Sequence, residues 1–237
     1  MMSDDELTDR FLNACEDAKR ALERRTKKSY TGLGEALRRD GDHPLVKPYI
    51  AELKAYVELR NAIAHGDRRD GKPIATPRAD AVERMEALAL RIENPPKVSQ
   101  FMVKALRTVR EETTLREASL IIVQESLSQL PVVNESGRVE WLLTTNALAR
   151  WLGAMYKEDG FLVEEGGTVA EVRAYAEQQD RAETTSPNTL ARKACNRLSA
   201  SDAPAALLVT TNGKESGQLQ GILTRFDVPR VLAALSS

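Results

Sequence analysis

In the N-terminal part of the chain, apolar residues recur every three or four positions, the spacing of helices that bury one face. The first helix opens at Ser3, which has the capping-box spacing to Glu6, and its apolar stripe runs to Leu22. The pattern predicts three further helical stretches, at about Leu33–Leu37, Val46–His65 and Ala79–Ile92. This part of the chain is therefore predicted to be entirely helical.

The pattern changes at Asn94-Pro95-Pro96, because a pair of prolines cannot continue a helix. Beyond it, strand, helix, strand, strand and helix follow one another, and the series occurs twice. We therefore predict an α + α/β chain: a four-helix domain at residues 1–94, then two βαββα copies at 97–156 and 157–237.

Each copy ends with two short strands and a capped helix. In the first copy the strands are Leu130–Val133 and Trp141–Thr144, and in the second they are Ala206–Val209 and Leu219–Leu223. Thr144 and Thr224 then stand at the start of the closing helices, where a hydroxyl satisfies free amides. Between the copies, residues 161–179 are predicted to add a strand and a helix, the helix capped by Thr168 and Glu171.

Composition narrows the class of protein. The net charge is −1, so the chain has no overall basic field of the kind that coats DNA, and no DNA partner is expected. Cys15 and Cys195 stand far apart, which favours a reducing compartment without disulfides and gives no metal-ligand spacing. The acidic N-terminus is not a signal peptide, and the apolar runs are too short to span a bilayer. We expect a cytoplasmic protein without a membrane or metal partner.

The repeat resembles the tandem CBS pair, a ligand-sensing module. The pieces that carry the resemblance are Thr114-Leu-Arg-Glu-Ala118, Leu130-Pro-Val-Val133 and Gly221-Ile-Leu-Thr-Arg-Phe-Asp227, and they cover roughly the last 140 residues. The resemblance implies a regulatory adenine nucleotide (ATP, ADP or AMP) as the ligand.

The family pattern assigns roles to four residues of the second copy. Asp227 would accept hydrogen bonds from the ribose hydroxyls, Thr224 would meet phosphate, and Arg225 is a possible phosphate partner. Gly221 would let the ligand approach the strand. The same residues allow another interpretation, because Thr224 and Asp227 also form an acidic capping box, with Pro229 suited to the first turn.

The first copy departs from this pattern. Trp141 stands where the second copy has Gly221, and Ala147 stands where it has Asp227. The ribose acceptor is therefore missing from this position, and we expect one functional nucleotide site per chain.

Arg60-Asn-Ala-Ile-Ala-His65 resembles the Arg-x4–6-His signature of HEPN domains, in which two chains pair around their motifs. The resemblance implies metal-independent RNA cleavage by a homodimer, with His65 as base and acid, Arg60 stabilising charge and Asn61 orienting His65. Arg60 and His65 are five apart, so we expect them to flank a groove without direct contact. Alternatively, they are cations that favourably end a helix.

Together the motifs indicate a nucleotide-sensing CBS pair that gates a dimeric HEPN-type endoribonuclease site. The alternative is a non-catalytic adenine-nucleotide sensor whose helical domain serves dimerisation or recruits a partner. A third interpretation makes the CBS pair purely structural. The basic cluster Arg68, Arg69 and Lys72 could guide RNA phosphates, or it could be a solvated loop.

Overall fold

The structure is a computed structural model that describes residues 2–66, 68–69, 72–73, 75–158 and 167–236. The chain separates into two compact units, Met1–Pro95 and Pro96–Ser237. Each unit has its own buried core.

The first unit is helical, as the apolar spacing predicts. Its helices are α1 (Asp4–Thr26), α2 (Leu33–Asp40), α3 (Ile50–His65) and α4 (Ala79–Glu93). A 3-10 turn at Lys47–Tyr49 precedes α3, which therefore begins later than the sequence pattern indicates. Between α3 and α4 lies a short antiparallel hairpin of β1 (Arg68–Arg69) and β2 (Lys72–Pro73), which the polar sequence there did not predict.

The core of this unit follows the predicted apolar stripes. Its fully buried members come from all the predicted stretches; the largest are Phe11, Leu22, Val46, Leu53, Val82, Met85, Leu88 and Ile92. Ion pairs run along its partly exposed surface, where Arg10 meets Glu86 through two hydrogen bonds of 2.7 and 2.8 Å. Burial of the apolar stripes, which is worth about 25 cal/mol per Å², is the main stabilising term, because exposed pairs contribute little.

The second unit mixes helices and strands. In chain order its elements are α5 (Leu115–Gln124), β3 (Gln129–Val133), β4 (Val139–Thr144), α6 (Thr145–Glu158), α7 (Val169–Val172), β5 (Ala182–Thr185), α8 (Ala191–Leu198), β6 (Ala206–Thr210), β7 (Leu219–Thr224) and α9 (Val228–Ser236). The mixed class is confirmed. The start of the strand predicted after Phe161 lies outside the described residues, and β5 was not predicted.

Two related sheets organise this unit into halves. In the first half β3 pairs antiparallel with β4, and Val109 forms a parallel bridge to Val132. In the second half β5 runs parallel to β6, which pairs antiparallel with β7. Val132 stands opposite Trp141 in one sheet, and Val209 stands opposite Gly221 in the other. The sheets thus place Trp141 and Gly221 at equivalent positions.

The second half is completed by a segment that precedes the first half in sequence. This first exchanged segment, residues 96–103, pairs with the edge strand β7 through Val103 and Ile222, with N–O distances of 2.9 and 3.0 Å. Its Pro96 carbonyl accepts the first amide of α8, from Ala191, at 2.9 Å. Val98 is fully buried in the core formed by α8, α9 and the second sheet.

The first half is completed in the reciprocal way. The second exchanged segment, residues 167–175, follows the first half and leads into the second. The Gly167 carbonyl accepts the amide of Leu115 at 2.9 Å, and Val169 and Val172 are buried in the first half's core. Each half of the unit therefore depends on residues that adjoin the other half in sequence.

This exchange predicts where a core truncation acts. Val98→Ala removes buried methyl groups from the core of the second half, and we expect it to lower the free energy of unfolding by about 2 kcal/mol in urea denaturation. Hydrogen exchange should show a greater loss of protection in α8 and β6 than in α5 and β3. Val123→Ala, at a side chain of α5 that is 74% exposed, is the matched control and should change stability by less than about 0.5 kcal/mol. A greater loss of protection in α5 and β3 would contradict the exchange.

Candidate functional site

The strand-to-helix turn of the second half contains three of the predicted site residues. β7 ends at Thr224, a 3-10 turn covers Arg225–Asp227, and α9 follows. One oxygen of Asp227, Oδ2, accepts the backbone amide of Thr224 at 2.9 Å and its hydroxyl at 3.1 Å. The capping box considered from the sequence is therefore formed, and it uses one oxygen of the carboxylate.

The other oxygen of Asp227 is hydrogen-bonded by a more exposed side chain. Oδ1 accepts a hydrogen bond from Arg230 Nη2 at 3.0 Å, and the same nitrogen donates to the carbonyl of Phe101 in the first exchanged segment at 2.8 Å. The Arg230 side chain is 57% exposed, whereas that of Asp227 is 16% exposed. A ligand hydroxyl can take the place of this exposed guanidinium without breaking the cap.

Gly221 makes room for the protein itself. A Cβ at Gly221 would lie 2.6 Å from Met102 Sδ and 3.0 Å from the carbonyl oxygen of Val103. The missing side chain thus lets the first exchanged segment lie against β7, and Met102 fills the space that the sequence assigned to a ligand. The ligand-contacting role of Gly221 stays a prediction that requires Met102 to move.

An exposed aromatic side chain stands between two of the predicted ligand residues. Phe226 is 75% exposed, and the guanidinium of the exposed Arg225 lies 5.7 Å from its ring centroid. The sequence pattern did not single out Phe226, because the exposure of a large apolar residue cannot be predicted from a single strand-to-helix motif. The exposed side chains of Arg225 and Phe226 thus lie side by side at the turn.

The first half repeats this turn with a carboxylate from another segment. Thr144 ends β4, and its Oγ1 accepts the amide of Ala147 at 3.1 Å, as the capping prediction requires. Ala147 is fully buried and offers no acceptor. Asp180, from the turn before β5, fills this role instead, because its Oδ1 accepts the Thr144 hydroxyl at 2.5 Å. The carboxylate that the first motif lacks at Ala147 is therefore supplied by a residue far from the motif.

Arg150 completes the likeness between the two turns. It donates to Asp180 Oδ2 at 2.7 Å and to the Tyr175 carbonyl, in the second exchanged segment, at 3.0 Å. Arg230 makes the corresponding pair of contacts in the second half. In both halves one arginine of the closing helix therefore joins the carboxylate at the turn to an exchanged segment.

Asp180 is closed to a ligand where Asp227 is open. Its exposed fraction is 2%, and both oxygens are engaged, Oδ2 also accepting the amide of Glu177 at 2.8 Å. Burial raises the pKa of Asp180, but hydrogen bonds from Thr144, Glu177 and Arg150 outweigh it and hold that pKa below its ordinary value. The turn at Asp227 is thus the better candidate for a ligand that brings its own hydroxyl groups.

The first unit holds the other predicted site in a cleft of about 450 Å³, where α1, the start of α2 and the end of α3 meet. Arg60 Nη1 lies 2.9 Å from His65 Nε2, so the expectation that these side chains do not touch is wrong. The helical angle between them is large, but the arginine side chain is long enough to span it. Arg60 also donates to Asn61 Oδ1 at 3.3 Å. The sequence predicts that Asn61 orients His65, whereas the hydrogen bond of Asn61 in the structure is to Arg60.

Cys15 lies in the same cleft but is not a nucleophile there. Burial raises the pKa of its thiol to about 12, although the charge of Arg60 acts in the opposite direction. The thiol is therefore protonated near neutral pH. The side chains of the predicted basic cluster Arg68, Arg69 and Lys72 lie outside what the structure describes.

The described part of the chain has neither a metal-ligand group nor a membrane-spanning helix. Its histidine, cysteine and acidic side chains form no group of three or more that could hold a metal ion. Over the same residues, every helix is too short or too polar to cross a bilayer.

Comparison with known proteins confirms a CBS domain. Residues 98–152 match the family model described as CBS domain, a stretch that runs from the first exchanged segment into α6. No curated protein sequence matches the chain. The matched stretch covers the first half. The assignment of the second half, which contains the intact motif, depends on the internal repeat.

Solved structures of CBS proteins resemble the chain. CBSX2 in complex with AMP shares 20% identity at a TM-score of 0.45, covering 60% of this chain and 99% of that one. AcuB of Vibrio cholerae shares 15% identity at 0.47, covering 59% and 92%. The CBS pair of MJ0100, solved with 5′-methylthioadenosine and S-adenosyl-L-methionine, shares 16% at 0.44, covering 59% and 97%. At these identities and TM-scores the likenesses assign no ligand to this chain.

The buried network of the first half predicts a pH-dependent stability. Asp180→Asn removes the buried carboxylate that Arg150 and Thr144 contact and leaves Arg150 paired with the more exposed Glu177, and we expect a loss of about 2 kcal/mol in the free energy of unfolding at pH 7. Because the folded pKa of Asp180 is lowered, its contribution is present above the unfolded pKa of about 4 and is lost as the pH falls through the folded pKa. Urea denaturation from pH 7 down to pH 3 should show the gap between wild type and variant narrowing.

The matched control is Asp202→Asn, which removes a carboxylate whose side chain is 81% exposed and paired with Arg197. This control should change stability by less than about 1 kcal/mol. An effect of Asp180→Asn as small as that of the control would show that the network does not hold the first half together.

Proposed function

We propose that the chain is a CBS-pair sensor of an adenine nucleotide (ATP, ADP or AMP), and that the turn from Thr224 to Asp227 holds the ligand. The observation that supports this most is the difference between the two turns. Among the described residues, an exposed arginine is the sole hydrogen-bond partner of Asp227 Oδ1, whereas Asp180 has both oxygens engaged in a buried network. The adenine class follows from the family resemblance of the motif.

The proposed contacts use the chemistry of the turn. Asp227 Oδ1 accepts the ribose hydroxyls once Arg230 has moved aside. Thr224 and the exposed Arg225 face the phosphate, whose negative charge also suits the start of a helix. The bond from the Thr224 amide to Oδ2 stays in place while the Thr224 hydroxyl turns from Oδ2 to donate to the phosphate, so the turn keeps its shape when it binds.

Thermal unfolding with and without AMP tests this site. AMP at a hundred times its Kd should stabilise the wild-type protein by about 2.7 kcal/mol. Asp227→Asn can keep the cap, since an amide oxygen accepts the Thr224 N–H, but its second group is a donor and should abolish the stabilisation. Asp202→Asn, on the exposed surface, should respond like wild type. Stabilisation of all three proteins alike would rule out the Asp227 site, and stabilisation of none would favour a purely structural pair.

For the helical unit we infer a second function, metal-independent RNA cleavage by a homodimer. The supporting observation is the 2.9 Å contact between Arg60 and His65 inside an open cleft. It sets a permanent positive charge beside an imidazole, the two groups that cleavage through a crowded phosphate needs.

The proposed reaction is a transesterification. His65 of one chain takes the proton of a ribose 2′-hydroxyl, whose oxygen then bonds to the adjacent phosphorus. The bond from phosphorus to the 5′ oxygen breaks, and His65 of a second chain protonates that oxygen. The products are a 2′,3′-cyclic phosphate and a 5′-hydroxyl, while Arg60 stabilises the charge on the phosphoryl oxygens. Each chain supplies one motif histidine, so the mechanism requires a dimer.

Cleavage of a labelled single-stranded RNA tests this function. His65→Ala should reduce the rate by at least about a hundredfold, because it removes both base and acid. The chain's other histidine, His43, lies outside the cleft and offers the control. The His43→Ala variant should cleave like wild type. EDTA should not alter the rate. An equal rate in wild type and His65→Ala would refute the nuclease, and no cleavage at all would favour the non-catalytic sensor.

The two functions are joined by a proposed population shift. A nucleotide that binds one arrangement of the dimer better than another favours that arrangement, and with it an open or a closed pair of motifs. We propose that the chain is a cytoplasmic regulator that works in this way. Measuring the cleavage rate with and without AMP in the Asp227→Asn background separates gating from a direct effect of the nucleotide on the cleft.

A further inference from the structure

The cleft of the helical unit contains a second arginine that the motif does not include. Arg38, from α2, lines the cleft together with Arg60, Asn61 and His65 from α3. The two arginines belong to different helices, so their meeting here depends on how α2 packs against α3.

Among the described residues, no ion pair engages the two arginines of the cleft, Arg38 and Arg60. Glu35 is the one acid among the described lining residues, and Thr31 and Arg39 occupy its two oxygens at 2.7 to 3.2 Å. Within the described ranges, two guanidinium groups therefore line the cleft without a carboxylate paired to either of them.

The start of α2 adds donors to the same cleft. Its N-cap is Gly32, which offers no side-chain hydrogen bond to the free amides of the first turn. Gly34 brings the helix close to α3, because a Cβ there would lie 3.0 Å from Val57 Cγ1 and 3.7 Å from Arg38 Nη1. The uncapped turn thus lines the cleft beside the arginines, and its partial positive charge favours an anion.

We propose that Arg38 and Arg60, with the uncapped start of α2, form a phosphate-binding site, and that its ligand is the phosphodiester backbone of single-stranded RNA. Arg38 binds a backbone phosphate and so positions the strand, while Arg60 and His65 act on the phosphate that reacts. The planar guanidinium suits this task because it donates two parallel hydrogen bonds to phosphate oxygens. The identity of the ligand rests on the proposed nuclease function, and the phosphate site itself does not.

Binding of a fully 2′-O-methylated RNA oligonucleotide tests the site, since blocked 2′ oxygens cannot attack and binding is measured without cleavage. Fluorescence anisotropy over a range of salt concentrations gives both Kd and its salt dependence. Arg38→Gln should weaken binding about tenfold and reduce the slope of log K against log salt by about 0.7, the loss of one phosphate contact to a single strand.

Two further variants separate charge from fold. Arg38→Lys keeps the positive charge and should keep the wild-type slope, although it binds more weakly because it lacks the fork of donors. Arg20→Gln removes an arginine from the surface of α1, where Glu16 is its partner, and should leave both Kd and slope unchanged. Thermal melting of each variant shows whether the helical unit is intact.

The outcomes distinguish this site from the nuclease. A wild-type slope and Kd in a folded Arg38→Gln protein overturn the proposal, even if His65→Ala abolishes cleavage. A loss of binding in Arg38→Gln with no RNA cleavage by the wild type leaves the phosphate site standing and removes the nuclease. Inorganic phosphate that displaces the oligonucleotide at an equal concentration of phosphate groups overturns RNA as the ligand. Failure of the wild type to bind the oligonucleotide at low salt overturns the site altogether.

Discussion

The structure of the second unit depends on the exchange of two short segments between its halves. Residues 96–103 complete the sheet and core of the second half, and residues 167–175 complete the core of the first. In each half a single arginine of the closing helix, Arg150 or Arg230, joins a carboxylate to a backbone carbonyl of the exchanged segment. Each half is therefore incomplete without residues that adjoin the other half in sequence, and the two strand-to-helix turns lie beside the exchanged segments.

The same framework gives the two halves different chemistry. In the second half the carboxylate belongs to the turn itself, as Asp227, and it has an oxygen that is only loosely covered. In the first half Ala147 leaves that position empty, and Asp180 comes from the segment before β5 to fill it. A carboxylate brought in this way is buried and fully used, so it stabilises the fold. The asymmetry that the sequence indicated at Ala147 and Trp141 thus has a structural counterpart.

Local patterns in the sequence predicted much of this fold. Ser3 and Thr144 cap the predicted helices and Thr224 forms the predicted capping box with Asp227, because a cap depends on residues three positions apart. Contacts between distant segments were not accessible in the same way. The bond between Thr144 and Asp180 and the packing of Met102 against Gly221 depend on the exchange, which no spacing in the sequence reveals.

The candidate sites show the same division. The motif residues Arg60 and His65 were found from their spacing, yet their direct contact depends on the conformation of a flexible arginine side chain. Arg38 was not found at all, because only the approach of α2 to α3 at Gly34 brings it to the cleft. Exposure of Phe226 beside Asp227 was also missed, since an apolar residue after a strand is ordinarily expected to be buried.

Because the two turns are chemically unequal, we expect one chain to hold one nucleotide. Isothermal titration calorimetry of the intact protein with AMP tests it most directly, because it counts the ligand bound per chain. We expect one AMP per chain in the wild type and in Asp202→Asn, and none in Asp227→Asn. Two per chain, or one per chain that persists in Asp227→Asn, would contradict it.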